Sequence, residues 1–246
     1  MKKLVGYITT GYPDINFTED LALSLANSGV DTLELGVPFS DPVADGEVIE
    51  KANLISLQSG FRVDDLLSVS KKIAPKIDTL WMGYFNTFYH RGMEEFLKEA
   101  SESGVNGMII PDLPHEEGNA YKELFAKYNK ALIDFVAPTD SKARIEELVK
   151  NSQKFIYLVA YAGITGANKS ESLDEVISNI KDVTDTPVYI GFGVNESTAK
   201  EKAKGVDGVI VGTAFVKHLL DDTLSNIQKI EKISSLAKEI KEKINE

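Results

Sequence analysis

The chain contains no cysteine. Disulfides, thiolate catalysis and cysteine-ligated zinc are therefore closed to it, which fits a reducing compartment. Basic residues are scarce as well. The 27 Lys and Arg against 38 Asp and Glu leave a net charge of −11 and a pI near 4.9. A surface of that sign argues against nucleic acid or an anionic membrane as partner, and its ordinary effect is solubility. Only three histidines occur, His90, His115 and His218. They are far apart, show no metal-ligand spacing, and read as surface or loop residues. No apolar run is long enough to span a membrane. Two lysines open the chain, but Tyr7, Thr9, Thr10 and Gly11 interrupt the apolar stretch that a signal peptide would need. The expectation is a cytoplasmic protein without a bound metal.

With 43% apolar residues among 246, a sizeable core can be buried, in one large α/β barrel or in two small domains. Short apolar runs rich in β-branched residues alternate with helical patterns along the whole chain. The expected strands are Leu4–Thr9, Thr32–Val37, Thr79–Gly83, Gly107–Pro111, Ala131–Val136, Phe155–Ala160, Val188–Gly191 and Gly208–Val211. Eight strands, each followed by a helix, point to parallel βαβ units. Eight also closes a barrel, although a doubly wound open sheet fits the same alternation. No linker or low-complexity segment divides residues 1–246. Asn16 and Glu19 read as a capping box for the first helix, which Gly29 ends. The same helix-to-strand hinge recurs at Ser103-Gly104-Val105 and Lys204-Gly205-Val206. Between Val37 and Thr79 there is room for a long loop and two helices rather than one. Ile227, Ile230, Ile233, Leu236, Ala237, Ile240 and Ile244 give a final outer helix with a solvated face.

The most informative stretch is Leu33-Glu34-Leu35-Gly36-Val37-Pro38-Phe39-Ser40-Asp41-Pro42-Val43-Ala44-Asp45-Gly46. A carboxylate inside an apolar strand costs several kcal/mol unless something offsets it. If Leu33 and Leu35 face the helices, Thr32, Glu34 and Gly36 face the barrel interior. Glu34 then opens onto the mouth where barrel active sites lie, although an ion pair with a neighbouring strand would also account for it. The following loop brings further acids, with Asp45 best placed to act. Late in the chain, Gly163-Ile164-Thr165-Gly166, Gly191-Phe192-Gly193 and Gly212-Thr213 fall at strand ends. Such turns let backbone N–H groups approach a phosphate, and ordinary turns use the same glycines. Apart from Lys169 these loops lack basic residues.

Taken together, Leu33–Gly46, Pro111-Asp112-Leu113-Pro114, Val136-Ala137-Pro138-Thr139, Ala162–Gly166, Gly191–Val194 and Gly212-Thr213-Ala214 resemble the α subunits of tryptophan synthases over nearly the whole chain. The resemblance implies a (β/α)8 TIM barrel, a single domain with an extended loop and extra helix after strand 2. It implies a lyase of tryptophan biosynthesis that cleaves indole-3-glycerol phosphate to indole and glyceraldehyde 3-phosphate. No cofactor is expected in this chain; pyridoxal phosphate belongs to a β subunit, with α2β2 assembly. Glu34 and Asp45 match the two catalytic acids, and Thr165 the hydroxyl that orients the aspartate. Gly166, Gly193, Gly212 and Thr213 take the phosphate positions. Tyr7, Met82, Tyr84, Tyr157 and Phe192 fall where the indole pocket is expected; singly, each reads equally well as core.

The chain departs from that pattern in four places. Its first strand starts almost at Met1, so the helix that usually covers the barrel base is expected to be missing or very short. Tyr161 replaces a basic or small polar residue, Thr87 follows Asn86 where proline is common, and Asp134 sits in a strand position expected to be apolar. Two other readings have consequences of their own. Another phosphate-binding barrel enzyme of the same pathway should show a lysine or cysteine at a mouth-facing strand end, and none is seen. A non-catalytic barrel that activates a partner would tolerate loss of Glu34 or Asp45, yet both are present.

Overall fold

A computed structural model describes residues 1–160 and 173–246. Parallel strands alternate with helices: β1 (Lys3–Thr9), α1 (Ile15–Ala26), β2 (Thr32–Gly36), α2 (Glu47–Gln58), α3 (Val63–Ile73), β3 (Asp78–Met82), α4 (Phe85–Arg91), α5 (Met93–Glu102) and β4 (Gly107–Ile109). They continue as α6 (His115–Gly118), α7 (Lys122–Lys127), β5 (Ala131–Leu132), β6 (Asp134–Val136), α8 (Lys142–Val149), β7 (Ile156–Val159), α9 (Leu173–Lys181), β8 (Val188–Gly191), α10 (Ala199–Lys202), β9 (Gly208–Val211), α11 (Thr213–Leu219) and α12 (Asn226–Lys243). The sheet runs β5-β4-β3-β2-β1-β9-β8-β7-β6, so its two ends are β5 and β6. Only Ile133 separates them.

The run expected as one strand over Ala131–Val136 is thus broken, and the break closes the ring. Its first half pairs with β4 and its second half with β7, while the Ile133 N–H still donates to the Met108 carbonyl at 3.0 Å. One strand passes from one neighbour to the other, which makes an eight-stranded (β/α) barrel. Asp134, the unexpected acid, begins the second half. Its carboxylate accepts from the Ser152 hydroxyl at 2.7 Å and lies 3.4 Å from Nδ1 of His115. His115 is therefore no surface residue: its side chain is 7% exposed.

Other boundaries shift modestly. β4 stops at Ile109 rather than Pro111, β2 at Gly36 rather than Val37, and β7 omits Phe155 and Ala160. The first helix is capped by Asp14, not Asn16: the Asp14 carboxylate accepts from the Phe17 N–H at 2.8 Å. This leaves Asn16 inside the first turn. Gly29, Gly104 and Gly205 all take positive φ, 90°, 77° and 73°, so the recurring hinge is a repeated left-handed helix exit. α2 and α3 fill the oversized connection.

Strand alternation sorts the core into two layers. Leu33 and Leu35 join the large cluster under the helices, whereas Val5, Leu80, Ile109, Ile133, Phe155 and Ile210 fill the barrel. The base is closed by charge pairs and the chain ends. Asp31 accepts from the Leu4 N–H at 2.8 Å, Lys3 Nζ at 3.0 Å and Lys241 Nζ at 2.5 Å. Asp78 accepts from Lys154, Asn106 and Thr32. Burial works against both charged forms, but these donors win and hold both carboxyls below the usual range. The Lys2 N–H donates to Asn245 Oδ1 at 2.8 Å, which brings the end of α12 under the barrel. Within α12, Ile233, Leu236, Ala237 and Ile240 face the core, but Ile227 does not; it is solvent-exposed.

Candidate active site

β1, β2 and β3 lie side by side, and their register sets the mouth: Tyr7 opposes Glu34, and Gly36 opposes Met82. Glu34 points inward, is 2% exposed, and has an Oε1 with no hydrogen-bond partner among the described residues. Burial, reinforced by the charge of Asp45, raises its pKa to about 8. At neutral pH it holds its proton.

Asp45 comes to the same mouth from the loop after β2. Gly46 caps α2 immediately behind it, so the helix N-terminus favours negative charge there. Tyr84 fixes the carboxylate: its hydroxyl accepts from the Ala44 N–H at 3.0 Å and donates to Asp45 Oδ2 at 3.1 Å. The Tyr84 ring stacks on Phe39 with centroids 5.1 Å apart. Burial lifts the Asp45 pKa to about 6 against the pull of hydrogen bonds from Tyr84 and Asn53. It is ionised at neutral pH, so the two carboxyls differ in charge.

Tyrosines surround the acids. Tyr7 lies across Gly36 and Tyr157 across Gly191. A Cβ on either glycine would fall 2.2 Å from the Tyr7 hydroxyl oxygen or 2.4 Å from that of Tyr157. Only glycine leaves room for these rings. Burial, and then the charge of Glu34, raises the Tyr157 pKa; burial, and then Asp45, raises that of Tyr7. Tyr157 stacks on Phe135 and meets Phe192 edge-on at 6.3 Å. Phe192 is 44% exposed and stands at the rim. Met82 is half-buried beside Gly36. Tyr84 serves Asp45 as well as the pocket wall.

Asn53 was not singled out from the sequence. It is fully buried on the inner face of α2 with Ile49, Ala52 and Ser56, and its Oδ1 lacks a partner among the described residues. A polar residue in the apolar stripe of the helix that follows Asp45 was the available signal. Ser56, one turn on, donates to the Thr10 carbonyl at 2.7 Å and ties α2 to the end of β1.

The late turns lie across the mouth. Gly193 has φ 72°, and its carbonyl accepts from Thr198 Oγ1 at 2.7 Å. Gly212 caps α11, whose first residue is the exposed Thr213. The N–H groups of that first turn have no acceptor within the helix. Thr165 and Gly166, with Tyr161 and Lys169, lie outside the described residues. Among the described residues no cluster of His, Asp and Glu could hold a metal, and no helix is long and apolar enough to cross a membrane.

A family model described as tryptophan synthase alpha chain matches residues 1–245. The tryptophan synthase alpha chain of Wolinella succinogenes is 56% identical over 246 residues, all of this chain and 96% of that one. The corresponding chain of Campylobacter jejuni subsp. doylei is 39% identical over 93% of this chain and 94% of its own. Among solved structures, the tryptophan synthase subunit alpha from Campylobacter jejuni aligns with a TM-score of 0.86 at 36% identity, covering 97% of this chain and 95% of that one. A ligand-free tryptophan synthase from M. tuberculosis gives 0.88 at 30%, covering 100% and 94%.

Proposed function

Because the chain belongs to the tryptophan synthase alpha chain family, we propose that Glu34 and Asp45 are the acids that carry out its reaction. The chain is a carbon–carbon lyase of tryptophan biosynthesis. It acts on indole-3-glycerol phosphate, works with a β subunit, and leaves pyridoxal phosphate to that subunit. Glu34 gives its proton to indole C3, forming the indolenine. Asp45, ionised, accepts the ring N–H and stabilises the positive charge that develops there. The C3–side-chain bond then breaks: its electron pair returns to the ring, the side-chain hydroxyl becomes the aldehyde, and its proton goes back to Glu34. Each acid–base role is worth roughly 10²–10⁴ in rate.

One observation carries this reading. A protonated Glu34, whose Oε1 has no partner among the described residues, and an ionised, clamped Asp45 share one barrel mouth, the separated pair that proton transfer at neutral pH requires. Tyr7, Met82, Tyr84, Tyr157 and Phe192 wall the indole, and Thr165 orients Asp45. Gly166, Gly193, Gly212 and Thr213 hold the phosphate through neutral backbone donors. Residues 1–246 act as one barrel domain, in the cytoplasm, within an α2β2 assembly; the match over residues 1–245 supports the first point. The test is to supply indole-3-glycerol phosphate and follow indole, with and without the β subunit. Indole is expected in both, faster with the partner; none in either would refute the assignment.

A further inference from the structure

The proton shuttle leaves one requirement open. Once Glu34 has delivered its proton it is a carboxylate in a site built for a neutral acid. An unpaired buried carboxylate is strongly disfavoured, and that cost falls on the step where the enzyme must be fastest. A donor that engages only the anion would lower the barrier without tightening the ground state.

β1 supplies such a donor. Tyr7 is the register partner of Glu34 on the adjacent strand, is 4% exposed, and faces the same interior. Its ring is held over Gly36, two residues beyond Glu34 on the same strand, by the missing Cβ there. The hydroxyl thus sits at the mouth side of the acid, near Thr9 on its own strand, and a hydroxyl rotates to suit its acceptor. Glu34 Oε1 has no partner among the described residues and can take the bond. Tyr157, across the barrel on β7, also feels the Glu34 charge; Tyr7 differs from it in lying on the strand paired with Glu34. Resting on the proton-carrying role of Glu34, we infer that Tyr7 is a positioning residue whose hydroxyl donates to the Glu34 carboxylate while the proton is away on the substrate.

Tyr7→Phe removes the hydroxyl and leaves the ring on Gly36. With indole-3-glycerol phosphate and the β subunit present, kcat should fall about ten- to hundredfold, the range below and at the loss of one donor to a developing anion. KM should stay within about twofold. The basic limb of the kcat/KM profile, set by Glu34 near 8, should move to higher pH, because the anion has lost its donor. A kcat within about twofold of wild type overturns the inference. So does a lower kcat with an unmoved limb, which would mean a packing role, or a raised KM at unchanged kcat, which would mean a ground-state contact. Glu34→Gln belongs in the same assay. If it stays active the shuttle itself is wrong; if it is inactive while Tyr7→Phe behaves as wild type, only the donor is.

Discussion

Glu34 and Asp45 carry the same functional group in different charge states at neutral pH, and their surroundings set the difference. Glu34 meets apolar walls and a neighbouring negative charge; Asp45 meets a tyrosine hydroxyl and an amide. The rate should therefore rise as Asp45 ionises around 6 and fall as Glu34 ionises around 8. A kcat/KM profile measures both limbs, and a flat profile from pH 5 to 9 would contradict the pairing. Glu34 also has a stability consequence. Its folded-state pKa of about 8 lies above the ordinary carboxyl value of 4.5, so between those values the folded state holds a proton that the unfolded state has released. Its contribution is fully present below about 4.5 and is lost as pH rises through 8. Glu34→Gln, which never charges, should gain in Tm over wild type as pH is raised across that window; a constant difference would count against it. Glu34 was legible because a charge in an apolar strand contradicts its surroundings. Asn53 was not, since an amide on a helix carries no such contradiction until the helix is known to follow directly on Asp45.

At the scale of elements, the late turns have the most to prove. Gly193 and the start of α11 offer backbone donors without a positive side chain, so binding there depends on leaving the first turn free of negative charge. Thr213→Asp would place a carboxylate on that turn. Affinity for the phosphorylated substrate should drop at least tenfold while Tm stays near wild type, as titration and calorimetry would show; unchanged affinity would remove α11 from the site. Glycine hinges and the two helices after β2 were readable, because positive φ and hydrophobic period leave direct marks in sequence. The split between β5 and β6 was not. Ala131–Val136 reads as one strand, and only the geometry of closing a ring makes Ile133 the point where pairing changes sides. His115 and Asp134 were misjudged singly because each makes sense only opposite the other.

At the scale of the molecule, closure is what turns separate strand ends into one mouth. β1 to β3 bring Tyr7, Glu34 and the loop to Asp45, while β7 to β9 bring Tyr157, Phe192, Gly193 and Gly212. The base is sealed by Asp31, Asp78 and the end of α12. A heterocycle between the acids with its phosphate at the late turns fits this arrangement. The direct measurement is indole release from indole-3-glycerol phosphate by Glu34→Gln and by Asp45→Asn, in the presence of the β subunit, with substrate affinity titrated alongside. Both variants should bind substrate within a few fold of wild type and release indole at less than a tenth of its rate. A variant that binds normally and keeps more than a tenth of wild-type turnover would show that its carboxyl group does not carry the reaction.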